Sequence, residues 1–80
     1  MFPGAVVLKT DPSYIQGFPD LLILFENKWA ALEVKRGNKA SFRPNQLYYI
    51  DKLNDMGFAA VIYPENKEEV LHEVQQALRP

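Results

Sequence analysis

Apolar and polar positions along this chain change period several times, and each change marks an element. A β-rich run over residues 5–9 ends at the turn cluster Thr10-Asp11-Pro12-Ser13. Gly17-Phe18-Pro19 is a second break, and Pro19 holds its predecessor extended. Residues 20–25 and 29–35 read as two strands around a tight turn near Asn27-Lys28, and residues 37–41 as loop. Pro44 suits the first turn of a helix, where its missing N–H costs nothing. That helix is expected to reach Met56 and to stop at Gly57 in a left-handed cap. Residues 58–63 form a buried strand. The last helix opens on a capping box, Asn66-x-x-Glu69, and carries one apolar stripe of Val70, Leu71, Val74, Ala77 and Leu78. The order strand, strand, strand, helix, strand, helix predicts an α/β domain, a small mixed sheet with helices packed on it.

Side chains alternate along a strand, so Trp29, Ala31, Glu33 and Lys35 share one face while Ala30, Leu32 and Val34 share the other. Leu22 and Leu24 lie on the same face as Asp20 in the preceding strand. An even-length loop centred on Asn27-Lys28 pairs residues whose numbers sum to 55, which sets Asp20 opposite Lys35 and Leu22 opposite Glu33. Asp20, Glu33 and Lys35 then gather at one end of a sheet that is otherwise apolar on both faces.

Eighty residues make one domain, 1–80, and 48% hydrophobic with 24% charged residues is globular composition. With no cysteine, disulfides, thiolate zinc sites and cysteine nucleophiles are excluded, and a single histidine, His72, excludes a multi-histidine cluster. His72 falls in the polar sector of the last helix and is expected to be solvated. Apolar runs such as residues 21–25 are far too short to cross a bilayer, and residues 1–9 lack the form of a secretory signal. A soluble cytoplasmic protein is expected. The net charge of −1 hides an asymmetry: residues 28–43 carry a balance of +4 and residues 51–73 a balance of −4. A ligand meets one face and not the average.

Burying a carboxylate is costly unless it is paired or binds a cation. Two close carboxylates repel, and a divalent metal relieves that repulsion better than one lysine does. Oxygen-only ligation suits Mg²⁺ or Mn²⁺. The same residues also satisfy a plain reading: a Glu33–Lys35 ion pair on the sheet, with Asp20 an ordinary turn residue after a proline.

Gly17-Phe18-Pro19-Asp20-Leu21-Leu22, then Ala31-Leu32-Glu33-Val34-Lys35, then Pro44-x-Gln46 resembles the VRR-Nuc family of PD-(D/E)xK nucleases, over residues 7–78. The resemblance implies a restriction-endonuclease-like core of order β-β-β-α-β-α, without the family's usual N-terminal helix and its further acidic residue. It implies metal ligation by Asp20, Glu33 and the backbone carbonyl of Val34. Lys35 would contact the scissile phosphate and the attacking water, and Gln46 would reach back from the helix to hold Lys35 or that water. Helical spacing of Gln46, Tyr49, Ile50 and Leu53 does turn Gln46 toward the sheet. Either the chain is a compact or trimmed variant, or Asp11, Glu26 or another chain supplies the further acid, and sheet surface left uncovered favours self-association.

The family includes small stand-alone phage and bacterial proteins that act as homodimeric Holliday-junction resolvases, and a domain of a eukaryotic interstrand-crosslink repair nuclease. The implied function is thus a Mg²⁺- or Mn²⁺-dependent endonuclease of branched DNA, acting as a homodimer. Arg36, Lys39, Arg43 and, more weakly, Lys9 would track phosphates without reading sequence. Tyr48 and Tyr49 read as core or boundary rather than as base-stacking residues, while Tyr14 and Phe18 suit a DNA groove or a dimer contact equally. The alternatives are a nuclease of unbranched DNA, a non-catalytic DNA-binding or assembly module on the same fold, and an α/β domain with no nucleic-acid role.

Overall fold

The computed structural model describes residues 3–11 and 15–79. Its elements, in order, are β1 (Val6–Lys9), β2 (Leu21–Phe25), β3 (Lys28–Val34), α1 (Gln46–Met56), β4 (Phe58–Ile62) and α2 (Lys67–Ala77). The predicted element order and α/β class are both present. The four strands lie side by side in chain order, β1-β2-β3-β4. The first three are antiparallel and β4 runs parallel to β3, which makes the sheet mixed. A parallel neighbour needs a crossover, and α1 supplies it.

The hairpin register differs from the expected one. Leu21 pairs with Leu32 and Phe25 with Lys28, so paired numbers sum to two less than predicted. The turn residues are Glu26 and Asn27, and Glu26 takes the left-handed conformation (φ 56°) that tight hairpins need at their first central position. A shift of two preserves every face, because the side-chain period is two. Leu22 therefore lies opposite Ala31 instead of Glu33. Extending the register by one residue brings Asp20 level with Glu33 rather than with Lys35.

β3 is the buried centre, with Ala30, Ala31, Leu32 and Glu33 all enclosed. Ala30 and Leu32 meet Ile23 and the Val70, Val74 and Leu78 stripe of α2. The opposite face, carrying Ala31 and Glu33, meets α1. The layers are helix, sheet, helix. Leu78 is one of the most completely enclosed side chains among the described residues. Leu78→Ala is expected to cost about 2–5 kcal/mol, read as a lower midpoint in urea.

Three local expectations are corrected. Pro44 sits in a turn before α1, because Asn45 is left-handed (φ 70°) and the helix begins only at Gln46. Gly57 is not a left-handed cap: its φ is −163°, and a β-carbon there would lie 2.7 Å from the Trp29 ring. Glycine is needed for room, not for handedness. Asn66 precedes α2 without capping it; its amide instead accepts from Tyr63 N–H (2.8 Å) and donates to the Val61 carbonyl (3.0 Å). The strand-to-helix turn is thereby tied to the end of β4.

β1 is an edge strand whose four residues are all exposed. Between it and α2 runs an apolar groove of about 740 Å³ floored by Val7, Ile23, Leu32, Val34, Ile62 and Leu71. Among the described residues nothing fills this groove, the kind of open sheet surface that the resemblance implies where the N-terminal helix is missing. Among the described residues no helix is long and apolar enough to cross a membrane.

Candidate active site

The strand ends at one edge of the hairpin bring the predicted residues together. Asp20 immediately precedes β2, and its backbone is fixed by Thr10: Thr10 N–H donates to the Asp20 carbonyl (2.8 Å) and the Thr10 hydroxyl to the Pro19 carbonyl (2.6 Å). The Asp20 carboxylate reaches across to β3, where its Oδ2 accepts from Val34 N–H at 3.0 Å. Pro19, fully buried, holds this approach rigid.

Glu33, Lys35 and Gln46 form one hydrogen-bonded string. Gln46 Nε2 donates to Glu33 Oε2 (2.8 Å), while Gln46 Oε1 accepts from Lys35 Nζ (2.8 Å) and from Arg43 N–H (2.6 Å). Lys35 Nζ also lies 3.3 Å from Glu33 Oε2. Gln46 thus presents a donor to the carboxylate and an acceptor to the ammonium, a division of labour that only an amide offers. The ordinary fate of a polar residue in a first helical turn is solvation, yet Gln46 is buried.

Glu33 is 3% exposed, and its second oxygen, Oε1, is buried with no hydrogen-bond partner. Burial raises its pKa above the ordinary 4.5, the charge of Asp20 raises it further, and Lys35 and Gln46 oppose the shift. A buried carboxylate oxygen without a partner, beside a second carboxylate, is the setting a cation relieves. The donors fit a hard divalent ion, since both side chains offer oxygen only. Among the described residues no three His, Cys, Asp or Glu side chains converge on one point. A shell built here on Asp20 and Glu33 therefore needs backbone and water, which is how Mg²⁺ is commonly held.

The replacement acids do not fill that gap. Glu26 lies in the β2–β3 turn, at the far end of the hairpin from Asp20. Asp11, next to Thr10, makes no three-acid group with Asp20 and Glu33.

Asp20, Glu33, Val34 and Lys35 open onto a cleft of about 820 Å³ whose wall carries Arg36, Lys39 and Arg43. Lys9, exposed at the end of β1, does not line it. Phe18 packs edge-on against Tyr49 (5.8 Å between ring centres), so it is engaged within the domain. Tyr49 is a boundary residue, but Tyr48 is 59% exposed, contrary to expectation. Tyr14 lies outside the described residues. His72 is exposed, as its helical position predicts.

Two features had no signal in the sequence. Glu65, from the β4–α2 turn, lines the cleft because the parallel crossover brings that turn beside Gly37. Phe42 places its ring 4.9 Å from Lys35 Nζ, from a loop with no periodicity to mark it. No protein-family model, curated protein or solved structure matches this chain.

The raised pKa of Glu33 makes the stability of the fold depend on pH. A folded-state value above the unfolded 4.5 means that the folded chain binds more protons between the two values. Stability conferred by protonated Glu33 is present at low pH and is lost as pH rises through its folded pKa. Metal-free wild-type protein should therefore lose thermal stability relative to Glu33→Gln on going from about pH 4 to about pH 8. Melting both proteins across that range checks this; parallel curves would count against it. If Asp20 and Glu33 hold Mg²⁺ or Mn²⁺, that ion at about a hundred times its Kd should return about 3 kcal/mol to the wild type and little to the variant.

Proposed function

We propose that this chain is a metal-dependent endodeoxyribonuclease that hydrolyses phosphodiester bonds in branched DNA, on a restriction-endonuclease-like core of the VRR-Nuc type. The single observation that carries the reading is the Glu33–Gln46–Lys35 string beside Asp20, ending in a buried carboxylate oxygen without a partner, in a cleft whose wall carries Arg36, Lys39 and Arg43. A plain ion pair needs neither the second acid nor the amide between its members.

Asp20, Glu33 and the Val34 carbonyl would hold Mg²⁺ or Mn²⁺. When bound, such an ion supplies Lewis acidity, polarising a phosphoryl oxygen and favouring hydroxide over water. The chain's own groups do the positioning. Lys35 sets a positive charge at the cleft floor, where negative charge develops on the phosphate oxygens during hydrolysis. Gln46 keeps that ammonium from swinging away, since its carbonyl is itself fixed by Arg43 N–H. Arg36, Lys39 and Arg43 hold neighbouring phosphates and would make binding strongly salt-dependent.

A homodimer is part of this proposal. It would cover the open groove beside β1 and place two sites for paired cuts. One observation favours a second reading, a DNA-binding module without catalysis: among the described residues the site has only two converging acids.

A labelled four-way junction and a linear duplex of equal length, each incubated with Mg²⁺, Mn²⁺ or chelator, test the proposal alongside a size measurement. Metal-dependent nicking with preference for the junction is expected. Salt-sensitive binding without nicking in either metal would leave the module reading standing instead.

A further inference from the structure

The strongest unexplained feature near the cleft is the ring of Phe42. It is 39% exposed, although it is purely apolar and lies between Ser41 and Arg43, both of which line the cleft. A single exposed hydrophobic residue is ordinary. This one differs because it is anchored to the site's chemistry. Lys35 Nζ lies over the ring at 4.9 Å, and the adjacent Arg43 N–H is pinned to Gln46 Oε1 at 2.6 Å. The ammonium is in turn held by Gln46 and Glu33. The ring is thus held in place while much of its surface stays open to water.

We infer that Phe42 is a stacking platform for an unpaired nucleobase, belonging to the nucleotide whose phosphate Lys35 contacts. The inference deepens the nuclease reading and rests on it. Nζ is 4.9 Å from the ring centre. It would approach a phosphate oxygen to about 2.8 Å. Ring centre and phosphate oxygen then lie within about 8 Å of each other, and the base stacks on the ring face that Lys35 leaves open. Any base offers a π-face, so the contact tolerates every sequence. Bases inside an intact duplex are already stacked on both sides and cannot use it. A base freed at a branch, bulge or frayed end can. Phosphate contacts from Arg36, Lys39 and Arg43 would then supply affinity while Phe42 supplies the preference for disrupted DNA, with no base-edge contact needed.

The test compares two DNAs of equal length, one fully paired and one with a single unpaired 2-aminopurine, titrated in chelator to prevent cutting. Wild-type protein should quench the 2-aminopurine emission and prefer the bulged DNA by about tenfold. In Phe42→Leu the quenching should vanish and the preference fall to near unity, whereas Phe42→Trp, which keeps a ring, should retain both. The ratio of affinities is the readout, so a general weakening caused by disturbing Lys35 cancels out. An unchanged preference in Phe42→Leu, or no quenching by the wild type, overturns the inference. If the wild type still cleaves a junction in Mg²⁺, the nuclease reading survives that result. A wild type that binds neither DNA removes both. Should Phe42→Leu melt early, the wild-type quenching and Phe42→Trp decide alone.

Discussion

Asp20→Asn should lower metal-supported cleavage of a four-way junction by about a hundred- to a thousandfold while leaving the metal-free protein at least as stable as the wild type. The two readouts move in opposite directions for one physical reason. Asparagine keeps an oxygen able to accept from Val34 N–H, so the strand-to-strand tie survives. It removes the charge that helps raise the pKa of Glu33, so a buried repulsion is relieved. A carboxylate retained only for structure would show the reverse, a loss of stability with little else to measure. Lys35→Ala should cost comparable activity but behave differently in the melt. It strips the buried Glu33 of its cation, so the metal-free protein is expected to lose stability as well. Lys35→Met, which keeps the aliphatic stem, separates packing from charge. Quantifying nicked product under single-turnover conditions, with melts on the same preparations, checks both variants. Cleavage that persists in both would move the chemistry elsewhere on the molecule.

The second large effect is expected at Gly17. Its φ is +90°, and a β-carbon there would lie 2.8 Å from backbone atoms of Pro44 and Asn45. Backbone cannot swing aside as a side-chain tip can. Gly17→Ala therefore combines a left-handed penalty of about 1–2 kcal/mol with overpacking of about 1–3 kcal/mol. The expected loss of about 2–5 kcal/mol lowers the melting temperature of a domain this small by about 10 °C or more. The consequence is also functional. Gly17 packs where the chain enters α1, one residue before Gln46, so forcing the two segments apart withdraws the amide from Glu33 and Lys35. Thermal denaturation gives the first effect; a larger fall in cleavage than in folded fraction gives the second.

How much of this was readable from the residues can be judged at particular positions. Strand faces were legible because a period of two survives even a misplaced turn: the hairpin loop begins one residue early, yet Glu33 still faces α1. The face on which Gln46 lies was legible from helical spacing, but its place beside Glu33 and Lys35 came only from the family resemblance. Gly57 and Asn66 were readable as punctuation but not in their roles, because each answers to a tertiary neighbour, Trp29 for one and the end of β4 for the other. Pro44 misled because the left-handed Asn45 delays the helix. The unpartnered oxygen of Glu33, the approach of Glu65 and the anchoring of Phe42 arise from the parallel crossover and the long loop, and neither leaves a period in the sequence.

The strand order has a kinetic meaning. Because the sheet follows the chain, the hairpin carrying Asp20 and Glu33 can zip up from its turn, each pair closing on the one before it and none needing a long loop. Gln46 lies outside that hairpin, on the crossover that adds β4. A partially folded chain would thus hold both acids side by side with no amide between them, and the repulsion would favour a proton or a captured ion at that early stage. Divalent salt should accordingly speed refolding as well as slow unfolding.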